Sequence, residues 1–383
     1  MRVKVAILGS TGSIGKNAVK VALENKDIIE VVALAAKSNI DLLQEQAALL
    51  SPKIVAVYDK EKALELQKKI PGIHVVAGME GLCEVVVRED VDLVLAAMVG
   101  SAGLVPTVEA IRAKKRIALA NKEVLVAAGS YVMPLVKKMG VELIPVDSEH
   151  NAIFQCLHRE EKKTVRRIIL TSSGGPFRGK TKEDLKNVTV EDALKHPNFS
   201  MGAKITVDSS TMMNKGLEVI EAHFLFELPL EKIEVLIHPE QKIHGMVEFC
   251  DGSLIAQMCE PDMVVPIQYA MTYPYRKEGL LPPYDFIKNG ALHFLPPNID
   301  LFRPLKLAYE AARVGGTLPC YMNAANEVLV ESFLQKKISW LSIGQMLENL
   351  MERHNAEMGN SLETFLEVDS LARNQAREMV CSV

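Results

Sequence analysis

At 383 residues the chain exceeds what one compact core ordinarily holds, so two or three domains are expected. Hydrophobic residues at 48% and charged residues at 24% are the balance of a globular protein, and a formal net charge of −4 gives no electrostatic reason to expect nucleic acid or an anionic membrane surface as partner. Six cysteines without C-x-x-C spacing argue against a zinc knot and a compact disulfide framework, and no apolar run reaches the length of a membrane span.

The first part of the chain alternates strand-like and helix-like stretches. Val3–Leu8 is an apolar, β-rich run, and with the pattern starting at Val3 no signal or transit segment is expected ahead of it. The turn Gly9-Ser10-Thr11-Gly12-Ser13-Ile14-Gly15 follows and opens a helix. Further strand-like runs stand at 28–35, 54–58, 75–77, 93–97, 117–119 and 143–146, with helical stretches such as 40–50 between them. That spacing predicts a parallel sheet with right-handed crossovers. Glycines in such a turn let backbone amides approach a pyrophosphate at the positive end of the helix, so a dinucleotide site is expected. The second strand ends in Ala35-Ala36-Lys37-Ser38-Asn39, with no acid to meet the ribose hydroxyls of NAD. A cation and two hydrogen-bonding side chains suit the extra phosphate of NADPH.

From 151 to about 275 the pattern is less regular. A helix at 152–157 leads to a strand at 167–170, which runs into Ser172-Ser173-Gly174-Gly175-Pro176. One helix is expected over 209–225, then strands at 235–238, 245–249 and 254–259, a small sheet that could also pair across a dimer. Residues 276–300 are rich in Gly and Pro and read as a linker. Beyond 301, Ile343, Leu347 and Leu350 recur at helical spacing. The expected fold class is therefore α/β: an N-terminal Rossmann-type parallel sheet that binds NADPH over 1–148, a middle α/β domain over 149–275, the linker 276–300, and a C-terminal helical bundle over 301–383.

Asp147-Ser148-Glu149 follows the run 143–146. Read as the end of a strand, residues two apart face the same way, so both carboxylates can converge on one cation beyond the carboxyl edge of the sheet. In the expected helix 209–225, Asn214 and Glu218 are i, i+4 and Lys215 is i, i+3 to Glu218, so one face presents amide, ammonium and carboxylate. Three carboxylates with open positions suit Mg²⁺ or Mn²⁺. Ser172-Ser173-Gly174-Gly175 has the composition of an anion cradle, which Ser209, Asn214 and Lys215 could complete as a phosphate pocket. His196-Pro197-Asn198-Phe199-Ser200-Met201-Gly202 reads as a candidate lid, with an aromatic tip and a glycine hinge.

Together these stretches resemble the 1-deoxy-D-xylulose 5-phosphate reductoisomerase family. The matching segments are 9–15, 120–123, 145–150, 171–177, 196–202, 207–218, 237–244, 260–263 and 323–327, in the family's order over nearly the whole chain. The resemblance implies a cytoplasmic, homodimeric oxidoreductase of non-mevalonate isoprenoid biosynthesis acting on a small phosphorylated sugar, with no nucleic acid or membrane partner. It also implies that the middle α/β domain over 149–275 is the catalytic, metal and dimerisation domain. It implies a metal-assisted retro-aldol and aldol rearrangement of 1-deoxy-D-xylulose 5-phosphate, then hydride transfer from NADPH to give 2-C-methyl-D-erythritol 4-phosphate. Asp147, Glu149 and Glu218 match the metal ligands and catalytic acids, with Mg²⁺, Mn²⁺ or Co²⁺ as the ion. Lys122 matches a catalytic, substrate-binding cation that either stabilises charge or relays a proton. Ser148 matches a contact to a substrate hydroxyl, Ser173, Ser209, Asn214 and Lys215 the phosphate pocket, and His196 a substrate contact beside the lid. Thr11, Gly12, Ser13, Ile14, Asn121, Glu123 and Gly202 match cofactor contacts, joined by Lys37, Ser38 and Asn39. His150, His238 and His244 lie in matching stretches as packing or supporting residues.

Two departures stand out. Phe199 replaces the tryptophan usual in the lid, and Lys37 stands where the family often has glycine, so either Lys37 or Ser38 meets the 2′-phosphate. Two rival readings remain: an NADP-dependent semialdehyde dehydrogenase working through a Cys156 thiolate, and a non-catalytic NADPH-binding protein.

Overall fold

The computed structural model describes residues 2–199 and 201–382. The chain folds as two compact units. One comprises Met1–Val124, Pro134–Phe154 and Glu260–Tyr284; the other comprises Leu125–Met133, Gln155–Cys259 and Asp285–Val383. No helix among the described residues is long and apolar enough to cross a membrane.

The first unit is built on seven parallel strands: β1 (Val3–Leu8), β2 (Ile29–Ala36), β3 (Ile54–Val57), β4 (His74–Ala77), β5 (Leu93–Ala96), β6 (Arg116–Leu119) and β7 (Leu143–Pro145). Their order is β4-β3-β2-β1-β5-β6-β7, and every adjacent pair is parallel. Central strands of such a sheet are covered on both faces and so read as continuous apolar runs. Accordingly, Val5, Ala6, Ile7 and Leu8 are all fully buried. Val264, Ile267, Ala270 and Met271, on the helix Val264–Thr272, complete this core from a distant part of the sequence.

Strand order reverses at β1, between β2 and β5, which opens a crevice beyond the carboxyl ends of those strands. The glycine turn fills its floor. Gly9 has φ +81, and a Cβ there would lie 2.4 Å from the carbonyl oxygen of Ala97.

The second unit carries β8 (Val165–Ser172), β9 (Ile233–Ile237), β10 (Ile243–Phe249) and β11 (Leu254–Met258), in the order β11-β10-β8-β9. β8 runs parallel to β9 and antiparallel to β10. β11 forms an edge on which Leu254 and Ile255 are 48% and 42% exposed. The helices Arg303–Val314, Leu318–Leu334, Trp340–Arg353 and Leu362–Cys381 form the C-terminal bundle around Tyr321, Phe333 and Phe365. Two of them start on serine caps, Ser339 accepting from the Ser342 amide and Ser361 from the Thr364 amide. Arg373 ties the last helix to Leu318–Leu334 through Glu327, while Asp369, one turn earlier on its own helix, holds the guanidinium in place.

Two expectations are corrected here. The single helix over 209–225 is two helices, Ala203–Ser210 and Met213–Phe226, broken at Met212 with φ 63. The cause is local: the Ser210 and Thr211 hydroxyls bond the carbonyls of Val207 and Asp208, and side chains of this type compete with helix continuation. The stretch read as linker 276–300 contains a short helix, Phe286–Asn289, and a bridge from Leu295 to Ile237.

Replacing Gly9 by alanine should lower thermal stability by about 2 kcal/mol or more, since the new Cβ is strained at positive φ and meets a backbone carbonyl. Thermal unfolding of Gly9→Ala beside the parent checks this, and an unchanged Tm would contradict it.

Candidate active site

The nucleotide end of the first unit forms around β1. The amides of Gly9 and Ser10 both donate to the carbonyl of Ala35, at 2.8 and 2.9 Å, fastening the turn to β2. Gly12 is the N-cap of the helix Ser13–Glu24, and no side chain caps that end. The first amides of a helix have no partner within it, so Ser13, Ile14 and Gly15 present donors and a positive dipole end beside Thr11. A pyrophosphate fits such a cradle.

Past β2, Lys37, Ser38 and Asn39 are all exposed. Asn39 accepts from the Leu42 amide and caps the helix Ile40–Leu50, so its side chain already serves the fold. Lys37 and Ser38 present a cation and a hydroxyl to solvent just past the end of β2. Asn121, only 3% exposed, donates to the carbonyl of Gly100. Its Oδ1 is buried with no hydrogen-bond partner among the described residues, an acceptor suited to an amide donor of a cofactor. Glu123 lies two residues on, in the first turn of the helix Glu123–Met139.

The first acid group lies beyond β7, but not as a strand end. β7 stops at Pro145, and the helix Ser148–Cys156 begins at once. Asp147 Oδ1 accepts from the Ser148 amide at 3.0 Å, and Glu149 sits in the first turn. The alternation argument is therefore corrected: a helix start holds both acids, where its dipole favours negative charge. Lys122 Nζ reaches Asp147 Oδ2 at 2.5 Å, and Ser148 Oγ donates to Glu149 Oε2 at 2.5 Å. Lys122 and Glu149 are both 7% exposed. One carboxylate thus meets an ammonium and the other a hydroxyl, with little water present, an arrangement that suits a further cation.

In the second unit β8 runs into the serine–glycine turn. Gly174 and Gly175 have φ +80 and +69, and their amides donate to Ser172 Oγ and Ser173 Oγ. A Cβ on Gly175 would lie 2.5 Å from the Ser209 carbonyl oxygen, so this turn and the end of the helix Ala203–Ser210 are in close backbone contact. His196 Nδ1 accepts from the amides of Asn198 and Phe199, at 3.2 and 2.9 Å. The proton of the neutral ring is then on Nε2, which donates to Ser173 Oγ at 3.1 Å. With two donors aimed at its oxygen, the Ser173 hydroxyl is set to donate its own proton to an anion. Burial pushes the His196 imidazole below its ordinary pKa, which keeps it neutral. Phe199 stacks on His196 at 5.5 Å. Ser200 of the expected lid lies outside the described residues, and Gly202 is the N-cap of the helix Ala203–Ser210.

The helix Met213–Phe226 brings Asn214, Lys215 and Glu218 to one face as expected. Asn214 Nδ2 donates to Glu218 Oε1 at 2.6 Å, and Lys215 Nζ pairs with Glu218 Oε2. Lys215 is 3% and Glu218 1% exposed. Acids with oxygen-only donor sets, as here and beyond β7, match a hard divalent cation such as Mg²⁺ or Mn²⁺. Cys156 is buried, the setting of a packing residue rather than a reactive thiolate.

Asp208 and Ser210 lie in the matching segment 207–218 and Asn326 in 323–327, yet local pattern gives none of them a role, and Trp340 lies outside every such segment. Asp208 and Ser210 flank Ser209, and their partners Asn326 and Trp340 lie 118 and 130 positions away, a separation no local pattern reveals.

Sequence models of three regions match the chain: 1-deoxy-D-xylulose 5-phosphate reductoisomerase over residues 5–129, its C-terminal domain over 143–226, and the DXP reductoisomerase C-terminal domain over 258–375. A 1-deoxy-D-xylulose 5-phosphate reductoisomerase of Protochlamydia amoebophila (strain UWE25) is 59% identical over 372 residues, 97% of each chain. One from Bacillus cereus (strain Q1) is 50% identical over 381 residues, 98% of this chain and 99% of the relative. Among solved structures, the Zymomonas mobilis 1-deoxy-D-xylulose 5-phosphate reductoisomerase in complex with NADPH superposes with a TM-score of 0.95 at 41% identity, covering 100% of both chains. A DOX-P reductoisomerase in complex with NADPH, fosmidomycin and magnesium gives 0.91 at 38% identity, covering 99% of this chain and 98% of that one.

His244, 6% exposed, has its Nε2 without a hydrogen-bond partner among the described residues. Burial pushes its imidazole down to about 4, against the pull of the Cys259 backbone and with help from His238, Lys215 and Lys242. The unfolded chain therefore takes up this proton first as the pH falls below about 6.5. The contribution is fully present above that value and is lost towards about pH 4, at most about 3 kcal/mol. In His244→Gln the fall in Tm between pH 7 and pH 4.5 should be shallower than in the parent. Parallel Tm–pH curves would remove His244 as a cause.

Proposed function

The chain belongs to the 1-deoxy-D-xylulose 5-phosphate reductoisomerase family, and we propose that it converts 1-deoxy-D-xylulose 5-phosphate into 2-C-methyl-D-erythritol 4-phosphate with NADPH and a divalent metal. The carbon skeleton breaks and rejoins as a retro-aldol and aldol pair, and the resulting aldehyde is reduced. The observation that carries this reading is the placing of carboxylates beside lysines with little water around them: Asp147 with Lys122 and Glu218 with Lys215, together with the buried Glu149 on the Ser148 hydroxyl.

When bound, a divalent cation would supply Lewis-acid polarisation of the substrate's keto and hydroxyl oxygens, and NADPH the hydride. Asp147, Glu149 and Glu218 would hold the cation; their hard oxygen donors suit it. The Lys122 ammonium faces the developing charge on the reacting oxygens or relays a proton, and Ser148 bonds a substrate hydroxyl. Ser173, Ser209, Asn214 and Lys215 bind the phosphate, with His196 orienting Ser173 by the bond described above. Thr11, Gly12, Ser13 and Ile14 cradle the NADPH pyrophosphate, while Asn121, Glu123 and Gly202 make further contacts to the cofactor. Lys37 or Ser38 meets the 2′-phosphate, with Asn39 shaping the turn as a helix cap.

In this reading 1–148 binds NADPH, 149–275 carries the chemistry and the dimer contact, and 301–383 supports them. The working form is a cytoplasmic homodimer. Its support is the edge strand β11, whose exposed Leu254 and Ile255 leave apolar surface and an unpaired backbone edge for a second copy.

The test follows NADPH absorbance with 1-deoxy-D-xylulose 5-phosphate. Turnover should stop on chelation and return with Mg²⁺ or Mn²⁺; persistence in chelator would refute the metal requirement. Glu218→Gln, which keeps shape but removes charge, should lower turnover at least ~100-fold, about 2.7 kcal/mol at the transition state. A near-parental rate in that variant removes Glu218 from the mechanism.

A further inference from the structure

The helix Ala203–Ser210 carries Ser209, yet little within it explains why it stays in place. It has eight residues, a length at which an isolated helix does not persist in water. Its N-cap, Gly202, offers no side-chain cap, and its other end breaks at Met212. Anchors come from elsewhere. Asp208, 1% exposed, accepts from Asn326 Nδ2 at 2.9 Å on one oxygen and pairs with Lys204 at 2.8 Å on the other. Ser210 Oγ, fully buried, accepts from Trp340 Nε1 at 2.9 Å while donating to the Val207 carbonyl at 2.6 Å.

We propose that Asn326 and Trp340 are positioning residues, holding Ser209 in register for the substrate's phosphate through the hydrogen bonds Asn326–Asp208 and Trp340–Ser210. The proposal rests on the reading above that Ser209 binds that phosphate.

Successive helix residues point about 100° apart. Fixing both 208 and 210 therefore fixes the rotation of the helix and the direction of the residue between them. A rotation of about 20° would move an atom at the helix surface by about 2 Å, and a displacement of about 1 Å is enough to impair a binding geometry.

Trp340 also reaches the other side of the pocket. Its ring lies edge-on to Phe177 at 5.1 Å, and Phe177 follows the serine–glycine turn by two residues. Gly175 in that turn is in backbone contact with Ser209. One side chain thus touches both segments of the phosphate pocket from outside it. Asn326 and Trp340 themselves meet no phosphate ligand; they act through Asp208 and Ser210.

The experiment is a double-mutant cycle in the full-length protein. Trp340→Phe keeps a ring but removes the donor, and Asn326→Leu keeps the volume but removes the amide. Each should raise KM for 1-deoxy-D-xylulose 5-phosphate roughly tenfold while leaving KM for NADPH within about twofold. In a Ser209→Ala background the same substitutions should add less than about twofold, because the group they position is gone. Equal fold-changes with and without Ser209, or an unchanged KM, would overturn the proposal, as would a parallel rise in both KM values. Trp340→Phe is the milder change and remains informative if Asn326→Leu fails to fold.

A second readout separates this inference from the substrate assignment. Trp340 is the single tryptophan of the chain. Its emission should respond saturably to inorganic phosphate in the parent and lose that response in Ser209→Ala. If the sugar phosphate is not turned over but the phosphate response depends on Ser209, the clamp stands and the substrate reading falls. If turnover is normal and the emission ignores phosphate, the clamp falls.

Discussion

A carboxylate taken out of water must be met by positive charge or by donors, and the candidate site is organised around that requirement. Glu218 is matched by Lys215 and Asn214 on its own helix, Asp147 by Lys122 from the loop after β6, and Asp208 by Lys204 and Asn326. Each match differs in kind. Those of Glu218 are local and survive any rearrangement that keeps the helix intact. That of Asp147 needs the sheet to place two loops side by side. Asp208 combines a neighbour one turn away with a residue from the C-terminal bundle. Glu149 accepts from the Ser148 hydroxyl beside it.

The same requirement runs in reverse at the two turns proposed to bind anions. Donors there are set in place by the fold itself. The turn Gly9–Gly15 relies on the uncapped start of a helix, while the Ser172–Gly175 turn relies on two left-handed glycines and serine hydroxyls. His196 shows how the hydroxyls are aimed: the amides of Asn198 and Phe199 fix its tautomer, and the tautomer fixes the direction of the Ser173 proton. Fixed dipoles of this sort need no reorganisation when charge is bound.

Much of the fold was legible because its signals are local. An apolar run, a glycine turn and a helix start lie within Val3–Gly15, and the strand spacing that follows allows only a parallel sheet. The i, i+3 and i, i+4 offsets alone bring Lys215, Asn214 and Glu218 to one face, as their mutual bonds show. What failed did so for physical reasons. Asp147 and Glu149 were read as the end of a strand, whereas β7 ends at Pro145 and a helix begins at Ser148. The break at Met212 was missed because a Ser-Ser-Thr run competes with the helix through its hydroxyls, an effect that apolar periodicity does not register. No role could be read for Asn326, inside a matching segment, or for Trp340, outside them all, because their meaning lies in contacts more than a hundred positions away.

Asp147 divides its two oxygens between separate duties, one fastening the first amide of the helix Ser148–Cys156 and the other meeting Lys122. An engineer wishing to retune ion preference at this acid would therefore disturb scaffold and chemistry together. Asparagine would keep an oxygen for the amide but forfeit the lysine's counter-charge; alanine would surrender both. Ser148 and Glu149, which bond each other inside the first turn, offer more freedom for redesign, since changing them leaves the helix's opening bond intact.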